Sequence, residues 1–144
     1  MIFIGADHAG FDLKESVKAF LAKTKTHQVN DLSPMLVAGD DYPAIAKDVA
    51  HEVLQHPGSF GILLCGSGIG MDITANRFAD IRASLVKNPQ EAELARQHNN
   101  ANVLVLAGFF LQPDQALAIV ETWLATPFSG EERHARRIQQ IDQP

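Results

Sequence analysis

The chain has 144 residues, 46% apolar and 20% charged, the balance of one soluble domain with a sizeable core, which excludes disordered and collagen-like chains. Seventeen acidic residues against twelve Lys plus Arg leave a net charge of −5, a field that repels nucleic acid and anionic membrane surfaces. A single cysteine, Cys65, excludes an internal disulfide and a multi-cysteine zinc site, and a free thiol suits a reducing compartment, so the expected location is the cytoplasm. The opening stretch Met1 to Asp7 turns acidic too soon for a signal peptide, and no apolar run approaches the ~18 residues of a membrane helix.

Short apolar runs alternate with helical periodicity along the chain, without repeats or linkers, which predicts a single α/β domain over residues 1–144. Ile2 to Gly5 reads as the first strand, and Leu13, Val17, Phe20 and Leu21 then recur at helical spacing. Gln28 to Leu32 is expected to be a strand chiefly because one is due between two helices. Pro43, after Tyr42, opens a helix with Ala46, Val49, Ala50 and Val53 on its inner face. Gly61 to Leu64 is the third strand, followed by a helix from Ile69 to Phe78 and a weak fourth strand from Arg82 to Val86. Asn88-Pro89, with Glu91 at the third helical position, opens the next helix, and Val103 to Ala107 is the fifth strand. Pro113 opens a helix carrying Ala116, Ile119, Val120 and Trp123. The last helix is expected from Glu131 to Ile141, with Ser129 as its cap and Glu132 reaching back to it.

Strands 1, 3 and 5 are nearly continuous in apolar residues, as strands covered on both faces are. The expected fold is therefore a three-layer, Rossmann-like, doubly wound five-stranded parallel sheet, most simply of order 2-1-3-4-5, with a C-terminal helix. Ligands bind such sheets where the carboxyl ends of strands 1 and 3 part.

The unusual polar residues fall at that crevice. Asp7-His8-Ala9-Gly10 follows strand 1 and Cys65-Gly66-Ser67-Gly68-Ile69-Gly70 follows strand 3. Three glycines in five residues expose backbone N–H groups, and the next helix adds its positive end, so the loop suits an anion; a plain tight strand-to-helix turn is the competing reading. The spacing is not a dinucleotide fingerprint, and Met71 stands where a phosphatase C-x5-R loop needs Arg. Cys65 is either a buried small hydrophobe or, beside a helix N-terminus, a thiol whose pKa should fall into the range of a general base. Asp7 and His8 either cap the next helix or bind sugar hydroxyls or phosphate. The six histidines contain no metal-ligand spacing, and His27, His51 and His56 read as surface. Arg133, His134, Arg136 and Arg137 form a cationic helix face that either is solvated beside Glu131 and Glu132 or holds a small anion such as a sugar phosphate.

Taken together, Gly5 to Gly10, Asp41-Tyr42-Pro43, Cys65 to Gly70, Arg96-Gln97-His98-Asn99, Asn102-Val103-Leu104 and Arg133-His134 with Arg137 resemble the ribose-5-phosphate isomerase B family over nearly the whole chain. The resemblance implies a cofactor-free, metal-independent aldose–ketose isomerase of phosphorylated sugars, a homodimer or homotetramer whose active sites are shared between subunits. It implies Cys65 as the base that moves a proton between C2 and C1, Ser67 as an aid to the proton shift between oxygens, and the N–H groups of Gly66, Ser67, Gly68, Ile69 and Gly70 as an oxyanion hole. His98, with Asn99 beside it, would open the sugar ring from the partner subunit; Asp7, His8 and Tyr42 would bind substrate; and Arg133, His134 and Arg137 would hold the phosphate. Ribose 5-phosphate is the expected substrate. One departure qualifies it: Phe109 stands where the family usually carries an Arg that holds substrate, so a hexose 6-phosphate isomerase and a non-catalytic sugar-phosphate binder are the alternatives. A flavodoxin-like or receiver module is disfavoured, because neither the loop after strand 1 nor Cys65 suits one.

Overall fold

A computed structural model describes residues 1–143. The chain alternates β1 (Ile2–Ala6), α1 (Phe11–Thr24), β2 (Val29–Asp31), α2 (Tyr42–Gln55), β3 (Phe60–Cys65), α3 (Ile69–Ala75), β4 (Ala83–Leu85), α4 (Pro89–Asn99), β5 (Val103–Ala107), α5 (Pro113–Ala125) and α6 (Glu132–Asp142). All strand pairs are parallel, and α1, α4 and α5 cover one face of the sheet while α2 and α3 cover the other. The two clusters of buried side chains meet only through the sheet. Trp123 is fully buried in the first and Met71 in the second, and burying a large apolar side chain is worth ~1.5–3 kcal/mol. No helix among the described residues is long and apolar enough to cross a membrane.

The doubly wound parallel architecture is the expected one, but the strand order is β2-β1-β3-β5-β4, with the last two strands exchanged relative to 2-1-3-4-5. Their sequences account for the exchange. Every residue of β5 is buried, as befits a strand paired on both sides, whereas the three residues of β4 are only partly covered and suit an edge. The chain therefore passes β5 on its way from β3 to β4 and doubles back through α4. Right-handed crossovers then put α4 on the same face as α1 and α5, where Ala92 and Ala95 are buried. The free edge of β4 is capped by α3: the Asn76 side chain accepts from Ala83 N–H at 2.8 Å and donates to Ala83 C=O at 3.1 Å.

Helix boundaries follow the sequence with corrections at α6 and α3. Asn88 caps α4 by accepting from Glu91 N–H at 2.8 Å, and the Glu91 carboxylate reaches back to Lys87 N–H at 2.7 Å. At α6, however, the N-cap is Glu131, so Ser129 lies too far ahead to reach the first-turn amides. Its hydroxyl accepts from Glu131 N–H at 3.3 Å instead, and the reciprocal bond from Glu132 does not form. Helix α3 ends at Ala75, and single turns carry the chain on to Phe78.

Gly10, at the N-cap of α1, packs so closely on β3 that a Cβ there would overlap the Leu64 carbonyl, whereas a Cβ at Gly58 meets only open space. Backbone cannot move aside as a flexible side chain can. Gly10→Ala should cost ~1–3 kcal/mol or more in urea unfolding from overpacking, and Gly58→Ala, which strains only a positive φ, about 1 kcal/mol. Equal losses would show that the close approach of Gly10 does not matter.

Candidate active site

The ladder continues past the end of β3. Leu64 C=O accepts from Asp7 N–H at 3.2 Å on one side, and Cys65 C=O and Gly66 C=O accept from Gly108 N–H and Phe109 N–H at 2.8 and 2.9 Å on the other. Three strand ends are thereby clamped around Cys65, which is only 4% exposed. The loop that follows needs glycine for a specific reason at each position. Gly68 has φ +78°, and the Cα positions of Gly66 and Gly70 lie directly under the rings of Phe109 and Tyr42.

Cys65 Sγ accepts from Gly68 N–H at 3.1 Å, and Ser67 Oγ accepts from Ile69 N–H at 3.3 Å. Two of the amides expected to form an oxyanion hole are thus engaged within the loop. The thiol also departs from expectation. Burial pushes the Cys65 pKa above its ordinary value and the negative charge of Asp7 adds to the rise, outweighing the backbone N–H groups of Gly68, Met71 and Ser67 that favour the thiolate. The following helix, α3, is seven residues long.

Asp7 is 6% exposed, and its Oδ1 accepts from Ala9 and Gly10 N–H at 3.0 Å each, so it shapes the turn into α1. His8 is exposed and is held by Asp40: a single carboxylate oxygen lies 2.9 Å from His8 N and 2.8 Å from His8 Nδ1. Ile69 and Tyr42 are 55% and 38% exposed at the rim. Phe109, 70% exposed, lies against the loop itself, with Phe110 edge-on to it.

The remaining site residues gather elsewhere. His98 stacks on His134 with ring centroids 4.2 Å apart and planes 10° from parallel. His134 is 4% exposed, and its Nε2 has no hydrogen-bond partner among the described residues. Burial, with His98 and Arg133 nearby, lowers its pKa. Arg133 and Arg137 are exposed on α6, and Arg133 Nε donates to Glu131 at 2.8 Å. Asn99 C=O accepts from Arg82 Nε at 3.1 Å at the amino end of β4. Cys65, by contrast, pairs with Ala107 at the carboxyl end of β5, while Gly61 pairs with Val103 at its start. Four residues of strand rise separate these levels by ~13 Å, so the two groups of candidate residues lie at opposite ends of the sheet.

The sequence matches the Ribose/Galactose Isomerase family over residues 2–141. A ribose-5-phosphate isomerase B of Mycobacterium tuberculosis is 40% identical over 137 residues, 95% of this chain and 85% of the relative. The chain belongs to the Ribose/Galactose Isomerase family. Among solved structures, a ribose 5-phosphate isomerase from Thermotoga maritima superposes with a TM-score of 0.94 at 49% identity, covering 99% of this chain and 97% of that one. The Mycoplasma genitalium ribose-5-phosphate isomerase B, solved with bound ribulose-5-phosphate, gives 0.93 at 42% identity, covering 99% and 93%.

For this member of the Ribose/Galactose Isomerase family, the sequence did not point to Asp40. An acidic pair before a helix start reads as a cap, and nothing local indicates that one of the pair meets a histidine 32 residues earlier. Arg96, next to His98 in the same polar run, is buried over Phe60 and Trp123 and donates to Ala101 C=O at 2.6 Å.

A raised thiol pKa has a measurable signature. Alkylation of Cys65 by iodoacetamide should be slow at neutral pH and climb about tenfold per pH unit past ~8.5, where a free thiol levels off. A plateau below pH 8 would mean that the loop amides, not burial, dominate.

Proposed function

We propose that this chain is an aldose–ketose isomerase that interconverts ribose 5-phosphate and ribulose 5-phosphate without a cofactor. The observation that carries this reading is a buried thiol at the end of the central strand, held by a loop amide and facing the charge of Asp7, in a chain of this family. The Cys65 thiolate removes the C2 proton of the open-chain aldose, and the C–H electron pair forms the C1–C2 double bond while the carbonyl electrons move to O1. A proton then shifts from O2 to O1 with Ser67 assisting, and the Cys65 thiol returns its proton to C1 as the ketose carbonyl forms at C2. Burial makes the thiolate scarcer and also a stronger base, a trade that suits abstraction from carbon. Backbone N–H groups of the Gly66 to Gly70 loop stabilise the enediolate oxygens, with Ile69 at the rim.

Ring opening requires an acid–base group near the substrate, and His98 stands at the other end of the sheet. A second copy of the chain supplies it: His98 and Asn99 of one subunit complete the Cys65 site of the other, with Arg133, Arg137 and His134 holding the phosphate, in a homodimer or homotetramer. The free thiol suits the reducing cytoplasm. A second reading, a hexose 6-phosphate as substrate, is favoured by Phe109, which places an aromatic face over Gly66 where an Arg would offer a cation.

The test is isomerisation of a panel of pentose and hexose phosphates with EDTA present. Turnover of ribose 5-phosphate supports the first reading, preference for a hexose 6-phosphate the second, and no turnover of any overturns both. Cys65→Ala should lower kcat by ~10²–10⁴-fold. Mixing Cys65→Ala with His98→Ala, under conditions of demonstrated subunit exchange, should restore part of the activity; no recovery would place each site within one subunit.

A further inference from the structure

Asp40 lies in the segment between β2 and α2, and its side chain is 17% exposed. Its Oδ1 faces both the backbone N–H of His8 at 2.9 Å and the ring Nδ1 of His8 at 2.8 Å. A carboxylate has no hydrogen to give, so Nδ1 carries one and donates it. The two bonds converge on one oxygen from the backbone and the ring of the same residue. They fix the ring torsions as well as the tautomer of a side chain that is otherwise 47% exposed.

We propose that Asp40 is a positioning residue for His8, holding the imidazole as its Nδ1–H tautomer so that Nε2 is the ring atom available to substrate. The assignment rests on the reading of His8 as a substrate-binding residue. An exposed histidine free to turn would lose rotamer and tautomer freedom each time substrate bound, and Asp40 imposes that ordering beforehand. The same carboxylate ties the segment before α2 to the β1–α1 turn, so the backbone and the ring of His8 are held by one group.

The experiment compares wild type, Asp40→Ala, Asp40→Asn, His8→Ala and the Asp40→Ala/His8→Ala double variant. Nitrogen-15 NMR of the His8 ring should report Nδ1–H in the wild type and a redistributed tautomer in Asp40→Ala. Kinetics with ribose 5-phosphate should show KM raised ~10-fold in Asp40→Ala with a much smaller change in kcat. Asp40→Asn, whose amide oxygen can accept both bonds, should recover most of that loss, and the double variant should be no worse than His8→Ala alone. An unchanged His8 tautomer in Asp40→Ala, or additive losses in the double variant, would overturn the assignment. A wild type inactive on every sugar phosphate would overturn the isomerase reading, while the tautomer comparison would still decide the role of Asp40.

Discussion

The clamp on the end of β3 is the constraint on which the rest depends. The carbonyls of Leu64, Cys65 and Gly66 are taken in turn by the turn after β1 and the turn after β5. The central strand therefore cannot splay from its neighbours where the chain leaves the sheet. That closeness buries Cys65, and Gly10 and Gly108 are glycine because backbone of the neighbouring turns or of β3 lies where a Cβ would stand. It also forces the loop from Gly66 to Gly70 outward under Tyr42 and Phe109, so the site is roofed by aromatic rings and floored by main chain.

Burial at the clamp decides the electrostatics of Cys65. The loop N–H groups and the start of α3 favour a thiolate, while loss of water and the nearby Asp7 disfavour it, and the second pair prevails. A helix-terminus argument from sequence alone counts only the first pair, because periodicity shows a helix beginning but not how deeply the preceding residue is packed. The sulfur therefore sits among amides that favour its charged form, in a crevice whose burial favours the neutral one.

The fold was largely legible because its determinants are local. Continuous apolar strands, helix stripes, Asn88 before Pro89 and the prolines at helix starts each act within a few residues. Strand order was less legible, because it depends on which of β4 and β5 is better covered. The contrast between Val103 to Ala107 and the thin Ala83 to Leu85 carries that information only when read as centre against edge. The Cys65 loop and the Asp7 turn were visible as glycine and acid where a parallel sheet binds ligands. Asp40 and Lys14 were not. Lys14 is fully buried and donates to Asp31 Oδ2 at 2.9 Å, a contact between a helix and a strand that no short window of sequence contains.

The exchange of β4 and β5 also bears on how the family resemblance translates into geometry. Doubling back from the edge strand sends α4 down the α1 and α5 face, antiparallel to the strands, so its last turn ends at the amino edge of the sheet. Arg82 fixes it there, donating to Asn99 and Asn100 carbonyls at 3.1 and 3.2 Å and pairing with Asp142 of α6 at 2.8 Å. The stack of His98 on His134 follows from that anchoring, because α4 and α6 are held by the same guanidinium. A sheet five residues tall then stands between His98 and the thiol of its own chain. The same topology that buries Cys65 at the carboxyl ends of the strands thus carries His98 to their amino ends. His134 is buried in that stack, while Arg133 and Arg137 stay exposed on α6 as the cationic face that the proposed two-subunit site requires.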